Sequence, residues 1–107
     1  MPPEMKVYIA GPMTGIPGYN YPAFHALAAD LRAAGYVVVN PAENFGGDQS
    51  LPYQTYLREA VRGLIDCDAV AMLPGWEDSS GATLEHSIAF ALGMTFLDVD
   101  HGPATIP

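Results

Sequence analysis

Short β-branched and aromatic runs alternate along this chain with longer stretches in which apolar residues recur every three or four positions. Lys6 to Ala10 (KVYIA), Tyr36 to Val39 (YVVV), Ala69 to Leu73 (AVAML) and Met94 to Val99 (MTFLDV) have the length and content of buried strands. Between them, Phe24, Leu27, Ala28, Leu31 and Ala34 predict a helix from Pro22 to a glycine stop at Gly35, proline being suited to a helix start and glycine to its end. Tyr53, Tyr56, Leu57, Ala60, Val61, Leu64 and Ile65 predict a second helix over 52–65, and Gly81 to Leu92, closed by Gly93, a third.

The remaining segments are loops. Residues 11–21 (GPMTGIPGYNY) hold three glycines and two prolines, and residues 42–51 carry Gly46-Gly47, too many breakers for a regular element. Residues 74–80 are a third loop, and the prolines and glycine of 100–107 predict an irregular tail. Strands alternating with helices call for right-handed crossovers. The expected fold is therefore α/β: a three-layer α/β/α sandwich with a mainly parallel sheet of four to five strands, flavodoxin-like or Rossmann-like, forming one domain over 1–107. Ligands in such folds bind beyond the carboxyl ends of the strands, where the segments 11–21, 40–51 and 74–85 converge.

Composition narrows the possible partners. At 107 residues the chain has one core and little area to spare. Half of it is apolar and only 15% charged, which excludes a disordered acidic tail and favours a homo-oligomer, a dimer or higher. Four basic residues against twelve acidic ones give a net charge of −8. That charge repels a phosphodiester backbone, so polymeric nucleic acid is not an expected partner. A small anion held locally by backbone N–H groups remains compatible with it. The opening residues lack a signal peptide's basic and apolar blocks, and no apolar run approaches the roughly 20 residues of a membrane span. A soluble, cytoplasmic protein without membrane attachment is expected.

Cys67 is alone and has no basic neighbour in sequence, so it reads as a core thiol. His25, His86 and His101 fall in separate segments without ligand spacing, which suggests no metal site. The first loop has neither the lysine of a P-loop nor a dinucleotide fingerprint, and no cofactor is assigned.

The strongest local signal for chemistry is PGWEDSSGATLEH, residues 74–86, a polar loop running from a buried strand into a helix. Its small residues would let a ligand approach the backbone, and the first-turn N–H groups favour an anion. Glu85 would lie about one turn inside that helix, where a carboxylate serves as nucleophile or general base. Plainer readings stand beside each of these. A glutamate there also simply complements the helix dipole, and Ser79 or Ser80 is more often a helix cap. His86 reads as a surface or partly packed side chain, and Trp76 as a loop cover or interface residue.

The first loop is the second signal. Gly11 leaves space after the strand for close backbone approach, and Tyr8 either presents a phenol near the strand end or is an ordinary core aromatic. Tyr19, Asn20 and Tyr21 form a loop that packs on itself or a lid that stacks on a base.

Together the segments VYIAGPM (7–13) and GATLEHSIAFALG (81–93) resemble the nucleoside 2-deoxyribosyltransferase-like superfamily, most closely its short DUF4406 branch, often met in phages. The resemblance runs from Lys6 to about Val99 and implies a nucleoside or nucleotide as small-molecule partner. It also implies nucleotide metabolism as the setting and N-glycosidic bond cleavage, by a hydrolase or deoxyribosyltransferase, as the reaction. Glu85 occupies the place of the nucleophile that attacks the sugar C1′, and Tyr8 that of the tyrosine that positions it. Gly11, Pro12 and Met13 belong to the matching first loop.

The position six residues before the nucleophile is an aspartate that holds the sugar in the transferases, and a phosphate-contacting serine in the nucleoside 5′-monophosphate N-glycosidases. Here it is Ser79, with Asp78 just before it and Gly81 matching a glycine of the hydrolase pattern. That combination favours a monophosphate and water, although a one-residue shift of the loop restores the aspartate. The superfamily's usual base-handling aspartate, eight residues before Asp68, is Ala60 here. Glu59 is adjacent but points about 100° away on a regular helix. Either Glu59 moves in, another acid such as Glu43 or Asp48 serves, or the chain binds a nucleotide-type ligand without cleaving it.

Overall fold

The computed structural model describes residues 5–97 except Gln49. Four strands form one sheet: β1 (Lys6–Ala10), β2 (Val37–Val39), β3 (Ala69–Met72) and β4 (Thr95–Leu97), in the order β2-β1-β3-β4. All three pairings are parallel, with Tyr8 level with Val39 on one side and Val70 on the other. Three helices connect the strands: α1 (Tyr21–Ala33), α2 (Tyr53–Ile65) and α3 (Ser80–Ala91). The parallel α/β architecture read from the sequence is the one observed, at four strands. The expected strand end at 98–99, the tail 100–107 and His101 lie outside the described residues.

Alternation along the strands builds two cores, since successive side chains of a strand point to opposite faces. On one face Val7, Ile9, Ala69 and Ala71 pack against Phe24, Leu27, Ala28 and Leu31 of α1. On the other, Tyr8, Ala10, Val70 and Met72 meet Leu64 of α2 and Ala82 and Ala89 of α3. Both faces are covered, so the central strands read as unbroken apolar runs rather than as alternating ones. Cys67 belongs to the second core, its Sγ donating to the Gly63 carbonyl at 3.2 Å.

The helix boundaries follow local chemistry. α1 ends where Gly35 takes φ +99°, while the N–H groups of Ala34 and Tyr36 donate back to Asp30 and Leu31, a glycine-terminated helix end. α3 starts after Ser79, whose Oγ accepts from the Ala82 N–H at 3.2 Å. The loops are not wholly irregular: Trp76–Asp78 forms a 3-10 turn, and Pro17–Asn20 and Pro41–Gly47 are tight turns broken by kinks. In these two kinked segments Tyr19, Asn20 and Phe45 hold positive φ, a left-handed conformation that breaker content does not reveal.

The strand order positions the site. From β1 the chain moves outward to β2 through α1 and then returns past β1 to β3 through α2. The connections leaving the carboxyl ends of β1 and β3 therefore diverge to opposite faces of the sheet and open a crevice between them.

Candidate active site

A cavity of about 260 Å³ occupies this crevice. Gly11, Met13 and Thr14 line it from the connection after β1, Pro41 and Asn44 from that after β2, and Asp78 and Ser79 from that after β3. The three segments expected to converge thus do so. α2 contributes a wall of Tyr53, Tyr56, Leu57 and Ala60, and α3 contributes Ser80, Gly81, Ala82 and Glu85.

Tyr8 and Glu85 meet at this cavity. The Tyr8 hydroxyl donates to Glu85 Oε2 at 2.6 Å, joining residues 77 positions apart. Tyr8 is 0% exposed and Glu85 6%, yet both border the cavity. The distance falls in the range of an O–H···O⁻ hydrogen bond. Burial pushes the Glu85 carboxyl up to about 7, and the bond from Tyr8 pulls in the opposite direction. Burial, and next the adjacent Glu85 carboxylate, hold the Tyr8 phenol well above the usual tyrosine range. At neutral pH the site thus has a carboxylate close to its own pKa, stripped of most of its water and held by one phenol. Such a group is suited to attack an electron-poor carbon or to take a proton.

The other anticipated residues separate into two groups. Gly11, Met13, Asp78, Ser79 and Gly81 line the cavity with Tyr8 and Glu85. Pro12 does not: it is buried outside the lining, its carbonyl accepting from Asn20 Nδ2 at 3.0 Å. Glu59 also stays out, pairing with Arg62 at 3.1 Å on another side of α2, as its helical angle requires. The alternative acids are engaged elsewhere as well. Glu43 makes a two-pronged contact with Arg32 at 2.9 and 3.0 Å, which holds its carboxyl below the usual range. Asp48 accepts from the backbone and hydroxyl of Ser50.

Two glycines owe their small size to protein neighbours. A Cβ at Gly11 would lie 2.7 Å from Leu73 Cβ, so the close approach there is made by the residue following β3. At Gly81 it would lie 3.0 Å from the Tyr53 hydroxyl, so this glycine admits the phenol of α2. Ser79 both caps α3 and borders the cavity. His86 is partly packed, stacked on Trp76 with ring centroids 4.4 Å apart and 4.8 Å from Phe96, away from the cavity lining.

The aromatic wall is the feature missed from sequence. Tyr19 and Tyr21 pack near each other, Tyr21 against His25, and neither lines the cavity. Tyr53 and Tyr56 do, and Phe24 joins them from α1. Tyr56 is fixed by donating to the Asp48 carbonyl and accepting from the Leu51 N–H. A signal was available: Tyr53 and Tyr56 are one helical turn apart at the start of the helix that follows the second loop, hence at the ligand end of the sheet. Among the described residues, no group of three or more His, Cys, Asp or Glu is placed to hold a metal ion.

A family model, "Domain of unknown function (DUF4406)", matches residues 5–98. The chain belongs to this family. The fold of this DUF4406 domain is similar to that of the 2-desoxiribosyltransferase from Leishmania mexicana, with a TM-score of 0.66 at 22% sequence identity. The similarity covers 89% of this chain but 63% of the transferase, so the DUF4406 chain spans less than two thirds of its neighbour's length. At that identity the likeness is one of fold. No curated protein matches the chain. No helix among the described residues is long and apolar enough to cross a membrane.

Proposed function

We propose that this DUF4406 domain cleaves the N-glycosidic bond of a nucleoside or nucleoside 5′-monophosphate, with Glu85 as nucleophile and Tyr8 positioning it. The observation that carries this reading is the buried 2.6 Å contact between the two at the floor of a ligand-sized crevice. Displacement at C1′ makes that carbon cationic as the bond to the base breaks, so a desolvated carboxylate stabilises the transition state before it bonds. Glu85 then forms an ester to C1′ while the base leaves with the bonding electrons. Water, or a second base, completes the reaction by displacing the carboxylate. Ser79 and the N-terminus of α3 offer a place for a 5′-phosphate. The fold shared with a 2-desoxiribosyltransferase supports this chemistry.

Incubating the protein with nucleosides and 5′-monophosphates and resolving free base by chromatography tests the proposal. Base release that disappears in Glu85→Gln is expected; release unaffected by that change overturns it. A second reading, a binding or sequestering protein, is favoured by the apolar Ala60 on the α2 wall. It predicts a ligand recovered intact from the complex. A homo-oligomer is also proposed, supported by Leu84, Phe90 and Leu92 standing exposed on or at the end of α3, Phe90 at 75%. A monomer by light scattering would remove it.

A further inference from the structure

The lining of the crevice is one-sided in charge. Its described residues include the carboxyls of Glu85 and Asp78 but no lysine, arginine or histidine. Tyr8, Phe24, Tyr53 and Tyr56 supply aromatic rings, whose faces attract cations. The whole chain adds a net charge of −8. A ligand bringing a positive charge would therefore be drawn by the rings and would relieve the burial of an unpaired carboxylate at Glu85.

The same lining is poor in proton donors for a leaving base. The Tyr8 hydroxyl is committed to Glu85, and that of Tyr56 to the Asp48 carbonyl. Ala60 places no carboxyl on the α2 wall, whose other members are Tyr53, Tyr56 and Leu57. Asp78 is exposed to solvent on the turn before α3, unlike the buried Glu85. A neutral nucleoside expels an anionic base unless it is protonated. A heterocycle that already carries a quaternary nitrogen leaves neutral and needs no acid.

We infer that the crevice selects N-glycosides of cationic heterocycles, quaternary pyridinium or N7-alkylated purine ribosides, over neutral nucleosides. This rests on the N-glycosidase reading above and specifies its substrate class. The C1′–N bond breaks with its electron pair moving to the ring nitrogen, which cancels the positive charge. A Glu85 oxygen bonds to C1′, so cation and carboxylate become a neutral ester and a neutral base. Water then attacks C1′, the carboxylate departs, and one proton is released to solvent.

A matched pair tests the inference: 7-methylguanosine and guanosine differ by one methyl group and one charge. Cleavage by the intact protein is expressed relative to the uncatalysed rate of each compound, which removes the intrinsic lability of the cation, and binding is measured by calorimetry on the Glu85→Gln and wild-type proteins. General acid catalysis contributes about 10²–10⁴-fold, so the enhancement for 7-methylguanosine is expected to exceed that for guanosine by at least about 100-fold. Nicotinamide riboside should behave like the cationic purine. Ala60→Asp, compared with Ala60→Asn, should gain guanosine cleavage by supplying an acid on the α2 wall. Equal enhancement of both purines overturns the charge selectivity and leaves the N-glycosidase reading standing. Preferential binding of 7-methylguanosine without cleavage supports the selectivity and overturns the catalytic reading. Absence of both binding and cleavage overturns both.

Discussion

Replacing Glu85 by glutamine is expected to abolish base release and, at alkaline pH, to make the protein more stable. Burial raises the Glu85 carboxyl from its ordinary 4.5 to about 7. Between those values the folded chain holds a proton that the unfolded chain has lost. The contribution is therefore whole below pH 4.5 and disappears as pH rises through about 7. At 1.36 kcal/mol per pKa unit, the wild type loses roughly 2–3 kcal/mol through this one group between pH 5 and pH 8.5. Glutamine is neutral throughout, and its carbonyl oxygen can still accept from Tyr8, so the variant lacks this dependence. Urea denaturation of both proteins, followed by circular dichroism at intervals across that range, isolates the effect, since titrating groups that do not touch Glu85 cancel in the difference. With an m-value near about 1 kcal/mol/M, the two midpoints should diverge by about 2 M as pH increases. A stability difference that stays flat with pH would refute the claim that Glu85 is buried at the cost of its charge.

Three further outcomes follow from the same geometry. Tyr8→Phe removes the hydrogen bond that holds Glu85 down, so the rising limb of the pH–rate profile should move to higher pH; an unmoved limb would mean that the phenol does not tune the carboxylate. Gly11→Ala sets a Cβ 2.7 Å from Leu73 Cβ, an overpacking that should cost about 1–3 kcal/mol by thermal denaturation; a wild-type melting temperature would contradict it. Burial pushes the Cys67 thiol up to about 11, so a disulfide reagent at pH 8 should label it only as the chain unfolds, whereas rapid labelling of the native protein would place the thiol at the surface.

Much of the fold is legible because its signals are local. The run KVYIA predicts a strand wherever it docks, and the spacing from Phe24 to Ala34 predicts a helix before its partner is known. The kinked turns of the first two loops are less legible, since Tyr19, Asn20 and Phe45 hold positive φ there, a conformation that composition does not announce. Helical periodicity was equally silent about which apolar residues of α2 face a cavity. Tyr53, Leu57, Ala60 and Leu64 lie in one stripe, yet the first three border the crevice while Leu64 is sealed in the core.

By itself the sequence determined the element types, their alternation and the parallel sheet, and it brought the carboxylate at position 85 into a helix beside the ligand end of that sheet. The tertiary structure decided the encounter of Glu85 with Tyr8, the pairing of Glu43 with Arg32 of α1, and the filling of the space at Gly11 by Leu73. The difference is physical. A helix or strand is chosen by residues a few positions apart, whereas a site depends on strand register and on which face of each helix is buried. Those are set by packing among segments that are distant in sequence.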